Sequence, residues 1–192
     1  MEKRLSGRYI TYQMIIPLLD KYPFDEIIHL GNSVKGIPIN LYRVGKGNKK
    51  ILLWSQMHGN ESTTTKAFFD VLLKLQTANI LSELSIYCIP MLNPDGAKLF
   101  TRVNYNNIDL NRDANELTQP ESKCLRKAYD LVQPDYCFNL HDQRTIFSVG
   151  RTPLPATVSF LAPAYNKERN INEVRQKAME LIVVMNSILQ HH

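Results

Sequence analysis

Hydrophobic and polar positions follow two periods along this chain, and each change of period marks an element. Between residues 9 and 22, apolar residues recur at helical spacing, which predicts a short helix. The stretch DEIIHLGNSVKGIPINLYRV has two β-rich runs around a Gly-containing turn and predicts a hairpin. KKILLWSQ is a continuous apolar run, the pattern of a parallel strand covered on both faces. In STTTKAFFDVLLKLQ the helical period returns, with Phe68, Val71, Leu72 and Leu75 at helical spacing behind hydroxyl residues placed to cap the helix start. LSIYCIPML predicts a second buried strand, ended by the turn tetrapeptide NPDG. Roughly residues 93 to 119 are polar and read as a long loop, which inside a compact domain usually has a functional reason. PESKCLRKAYDLV predicts a helix with proline in its first turn, and DYCFNLHD a third buried strand. KERNINEVRQKAMELIVVMNSILQ carries Val174, Ala178, Leu181, Ile182, Met185 and Leu189 along one face and predicts a packing helix.

Strand, helix, strand, long loop, helix, strand is the order of an α/β sheet with parallel members. At 192 residues and 44% hydrophobic content the chain suits one domain with a sizeable core, and no linker or repeat divides it. The net charge of +5 changes this picture little, because Lys and Arg are scattered. Their densest group, GKGNKK, lies between two apparent strands and reads as a solvated hairpin loop. Without a basic stripe or a binding motif, nucleic acid is set aside as a partner. The 3 cysteines, Cys88, Cys124 and Cys137, are far apart, with no CxxC pair, so neither a disulfide framework nor a thiolate zinc site is indicated. The N-terminal stretch has only a short apolar patch, IIPLL, interrupted by Pro17; it is neither signal peptide nor membrane span, and a cytoplasmic location is expected.

In open α/β sheets, ligands collect beyond the carboxyl ends of strands, and three polar groups lie there. His58 and Glu61 follow the first buried strand, the Asn93-to-Arg112 loop follows the second, and His141 closes the third. A lone histidine is usually a hydrogen-bonded structural residue, and a glutamate at a helix start has an ordinary dipole reading. Together they say more. A histidine and a carboxylate three apart can reach one ion, and His141 completes a set of two histidines and one glutamate. Such a set leaves a fourth tetrahedral position for water, as catalytic zinc requires. The HExxH motif is absent, so the scaffold is a different one.

These residues resemble the zinc carboxypeptidases of the metallopeptidase M14 group. The likeness rests on HGNE at 58–61, NPDG at 93–96, TRVNYNNIDLNRD at 101–113 and the strand-terminal histidine of NLHD, and covers roughly residues 30 to 145. It implies an α/β fold with a mixed central sheet flanked by helices on both faces. It further implies one zinc ion held by His58, Glu61 and His141, and Arg102 facing the scissile carbonyl as oxyanion donor. Asn111 and Arg112 would grip a terminal carboxylate, with Asp109 behind a ligand histidine. The implied substrate is a peptide or small amide with a free carboxylate, and the implied product a released C-terminal amino acid. For Arg102 and Arg112 the alternative is surface pairing with Asp95, Asp109 or Asp113. Asp142 and Gln143 stand open between touching substrate and satisfying backbone.

In the resembling enzymes a strand-borne glutamate and a closing tyrosine follow the third ligand. Here Glu168, Glu173 and Glu180 sit on or before the last predicted helix. The expectation is therefore a single domain over 1–192 that is incomplete at its C-terminus, and a chain inactive or weak by itself. Two further readings stay open. One is a deacylase resembling aspartoacylase and succinylglutamate desuccinylase, which share the HxxE, DLNR and later-histidine pattern, although NPDG and TRVN look more like the peptidase branch. The other is a zinc-holding binding module without catalysis.

Overall fold

The computed structural model describes residues 4–75, 79–142, 151–153 and 158–189. The chain divides into two compact units, Met1–Asp142 and Gln143–His192. The first contains helix α1 (Tyr12–Leu19), strands β1 (Glu26–Asn32), β2 (Pro38–Val44) and β3 (Lys49–Trp54), helix α2 (Thr63–Leu75), a 3-10 turn (Asn79–Ser82), strand β4 (Leu84–Ile89), short helices α3 (Pro94–Leu99) and α4 (Leu110–Asp113), helix α5 (Pro120–Val132) and strand β5 (Tyr136–Asn139). The second contains helix α6 (Glu173–Leu189).

The sheet runs β1-β2-β4-β3-β5. β1, β2 and β4 pair antiparallel, whereas β3 lies parallel to β4 on one side and to β5 on the other. Successive residues of a strand face opposite sides, so one strand feeds two cores. Tyr42, Val44 and Cys88 pack with Ile15, Leu18, Phe68 and Leu72 from α1 and α2. Their neighbours Leu41, Leu52 and Ile89 point the other way, onto Cys124, Ala128 and Val132 of α5. Leu52, Cys88 and Ile89 are each 0% exposed. At about 1.5–3 kcal/mol for each large side chain buried, these two layers hold the sheet between its helices.

The structure departs from the sequence reading in several places. GKGNKK does not close a hairpin, because β4 lies between β2 and β3; Lys46 and Gly47 instead donate to Leu81 O and Leu84 O. The strand before His141 is four residues long and mostly exposed, not buried. NPDG is not a turn but the start of α3, with Asn93 as its N-cap. The supposed loop over 93–119 contains α3 and α4. On α6, Ala178, Leu181, Ile182 and Met185 are half-buried, while Val174 and Leu189 at the ends of the expected face are exposed. Among the described residues no helix is long and apolar enough to cross a membrane.

Candidate metal centre

β3 and β4 keep pairing beyond their ends, and this fixes where the chain leaves the sheet. Ser55 N donates to Ile89 O (3.1 Å), Leu92 N to Ser55 O (3.0 Å) and Asn93 N to Gln56 O (3.1 Å). Asn93 then binds both neighbours: its Nδ2 donates to Met57 O (3.2 Å) and its Oδ1 accepts from Gly96 N (2.9 Å). Gln56, fully buried and at φ 47°, donates from Nε2 to Gly59 O (2.8 Å) and Ile10 O (3.1 Å), and its Oε1 accepts from the Thr65 hydroxyl (2.7 Å). A non-glycine residue in this left-handed region is uncommon, and three side-chain hydrogen bonds hold it there.

These contacts press the segment 58–61 onto α3. A Cβ on Gly59 would stand 1.9 Å from the Gly96 carbonyl carbon, and one on Gly96 would stand 2.5 Å from Asn93 Nδ2. Gly59 thus permits a close approach of its segment to the α3 backbone, while Gly96 leaves room for the Asn93 side chain and the Val103 carbonyl. Gly59→Ala is expected to cost about 3 kcal/mol or more, since backbone rather than a flexible side chain must yield. A denaturant melt of the variant, alongside Gly36→Ala where a Cβ meets open space but φ is +81°, separates crowding from backbone strain.

The segment delivers two side chains, and β5 delivers the third. His58 is 1% exposed and Glu61 8% exposed. His58 Nδ1 lies 2.8 Å from Glu61 Oε1, and His141 Nδ1 lies 2.7 Å from Glu61 Oε2. The two rings are tilted, with centroids 4.7 Å apart. One ligand atom from each of the three residues falls within 4.8 Å of the others, so the group could hold a metal ion. Tetrahedral zinc with bonds of about 2.0–2.1 Å brings its ligand atoms to about 3.3 Å from one another, a small adjustment from this arrangement. Burial pushes the Glu61 carboxyl up, but hydrogen bonds from His141 and His58 outweigh it and hold the group at about 2.

Asp109 and Arg102 close the centre from the other side. Asp109 Oδ1 accepts from His58 Nε2 (3.1 Å) and from Asn111 N (2.9 Å), capping α4. In the tautomer with its proton on Nε2, toward Asp109, Nδ1 is the ring nitrogen that would ligate a metal shared with Glu61. Burial raises the Asp109 carboxyl, and hydrogen bonds from His58, Asn111 N and Arg102 draw it below its ordinary value. Arg102 Nε donates to Asp109 Oδ2 (3.0 Å), and its Nη1 stands 3.6 Å from Glu61 Oε1. Asn111 is half-buried beside it, and exposed Arg112 donates to Asn111 O (3.4 Å). Asp113 accepts from Thr118 N and Gln119 N, and Asp95 from Lys35 N. Of the acidic groups weighed above as arginine partners, Asp109 is the one on Arg102.

Several residues of the site carried no signal in the sequence. Asn104, 2% exposed, donates to Gln119 Oε1 (2.9 Å) and Glu121 Oε2 (3.1 Å) and accepts from Asn106 N and Ile108 N. Glu121 Oε1 accepts from Val34 N (3.0 Å), so the β1–β2 turn, the Arg102 loop and α5 meet on one buried polar cluster. The α2 cap also differs from expectation. Ser62 donates to Arg8 O, and the acceptor for Thr63 N (3.1 Å) and Thr64 N (3.3 Å) is the Asp142 carboxylate. Gln143 lies outside the described residues.

A family model described as zinc carboxypeptidase matches residues 11–135, a span that includes His58, Glu61, Arg102, Asp109 and Arg112 and ends before His141. Gamma-D-glutamyl-L-diamino acid endopeptidase 1 of Lysinibacillus sphaericus is 34% identical over 120 residues, which is 50% of this chain and 30% of that protein. Among solved structures, a metallo-carboxypeptidase from Pseudomonas aeruginosa in complex with (2-guanidinoethylmercapto)succinic acid superposes with a TM-score of 0.63 at 23% identity, over 70% of this chain and 40% of that one. A putative metallopeptidase from Shewanella denitrificans OS217 gives 0.58 at 26% identity, over 69% and 51%. The chain thus spans about a third to a half of the length of these relatives.

Proposed function

Because the chain belongs to the zinc carboxypeptidase family, we propose that it is a zinc peptidase that releases the C-terminal amino acid from a peptide with a free carboxylate. The observation that carries this reading is the convergence of His58 Nδ1 and His141 Nδ1 on the two oxygens of Glu61. When bound there, zinc supplies a Lewis acid at a three-ligand site with one position left open. Asp109 keeps the His58 ring in its ligating tautomer. Arg102, anchored on Asp109, offers donors to the carbonyl oxygen as charge develops on it, and Asn111 with Arg112 orients the terminal carboxylate. Glu61, Asp109 and Asp142 are each engaged by the contacts above, so none of them is assigned the proton-accepting role.

Arg112→Ala tests the reading. It is expected to weaken substrates with a free α-carboxylate by about 10-fold or more relative to their amidated counterparts, because an ionic hydrogen bond contributes about 1.5–3 kcal/mol. Equal losses on both would make Arg112 structural. The 34% identity to the Lysinibacillus enzyme favours a second reading, cleavage at a γ-D-glutamyl bond before a diamino acid. Side-by-side assay of such a peptide and a blocked dipeptide separates the two.

A further inference from the structure

Two of the three candidate ligands lie in one four-residue segment, but the third arrives 80 positions later. His141 is the most exposed of the three, at 31% of its side chain, and follows a strand of only four residues. That strand continues into the site by one further backbone bond, Leu140 N to Trp54 O (3.0 Å). The next residue completes the attachment. Asp142 Oδ2 accepts from Thr63 N and Oδ1 from Thr64 N, the first two residues of α2, while its own N–H donates to Glu61 Oε2 (3.3 Å). The Thr64 hydroxyl donates to Leu140 O (3.5 Å). A carboxylate on the first N–H groups of a 13-residue helix also meets the positive end of its dipole.

We propose that Asp142 is a positioning residue for the metal: by capping α2 it locks His141 against the Glu61 segment and sets how tightly the ion is held. It rests on the metal-site reading above and extends it to a residue that touches neither metal nor substrate. The helix that follows the second ligand is thereby fastened to the strand end that carries the third. A plain helix cap would stabilise the fold without acting on the ion; a positioning residue acts on both.

The test compares wild type, Asp142→Ala, Asp142→Asn and Val132→Ala. Val132 is buried in α5 away from the site and provides a loss of stability unrelated to His141. For each protein, zinc dissociation is measured by competition with a chromophoric chelator, and Tm is measured with and without zinc. Asp142→Ala is expected to raise the zinc dissociation constant about 10–100-fold, as removal of a partner behind a ligand does. Asp142→Asn, which keeps an acceptor for the α2 N–H groups, should recover most of that loss, and Val132→Ala should lower Tm while leaving zinc affinity at the wild-type value. If Asp142→Ala does not fold, Asp142→Ser takes its place, with an intermediate loss expected. Wild-type affinity in Asp142→Ala, or an equal loss in Val132→Ala, would overturn the proposal alone. Absence of zinc binding in the wild type would overturn it together with the metal-site reading.

Discussion

His58→Ala is expected to weaken zinc binding by roughly 10²–10³-fold, and hydrolysis is expected to fall with it. Zinc sites are worth about 10–16 kcal/mol in apparent binding, shared over about four positions, and each tenfold corresponds to about 1.4 kcal/mol. The loss at this position is compounded by the surroundings. His58 is 1% exposed and bridges Glu61 to Asp109, so its removal opens a cavity beside buried Glu61, which keeps His141, Asp142 N and Arg102, and half-buried Asp109, which keeps Asn111 N and Arg102. Leaving the buried Glu61 carboxylate short of one partner is costly in itself. Metal content per chain and a chelator-competition constant measure the effect, with His141→Ala as the companion variant. Unchanged tight zinc in both would remove these residues as ligands.

Arg102→Ala is expected to lower turnover by about 10²–10³-fold, as loss of one oxyanion donor does, with zinc retained. Its two recorded contacts explain the separation. They run to Asp109 and to Glu61, not to His58 or His141, so the candidate nitrogen ligands keep their own contacts when the guanidinium is removed. An arginine held on two carboxylates is also already oriented, so little reorganisation is needed as charge appears on the substrate. Steady-state kinetics on a blocked dipeptide provides the check. A fall in kcat with KM unchanged fits a group acting in the transition state; a rise in KM alone would make Arg102 a ground-state binder.

What was legible in the sequence is what neighbouring residues decide among themselves. Helix α5 spans Pro120–Val132, the residues its proline and helical period indicate, because capping and periodicity act within a few positions. The burial of β4 showed in its unbroken apolar run, whereas β3, read the same way, buries Leu52 fully and leaves its other apolar residues half-buried. His58, Glu61 and His141 were nameable because ligand chemistry belongs to residue type, and their places at strand ends followed from the order of elements.

Only the tertiary structure decided the rest, and in each case the cause lies far along the chain. Hydroxyls next to α2 are natural local caps, yet its first N–H groups go to Asp142, 79 and 78 positions away, since a carboxylate brought in by β5 is the stronger acceptor at a helix start. GKGNKK looked like a hairpin because local sequence says nothing about a later strand inserting between β2 and β3. α3 and α4, of six and four residues, complete too few turns to show a period. Gly59 is needed because a Cβ there would meet the Gly96 and Ala97 backbone, an approach that exists only once β3 and β4 lie side by side. Residue identity thus determined which chemistry is possible, while the pairing of distant backbones determined where the candidate ligand atoms meet and what holds them there.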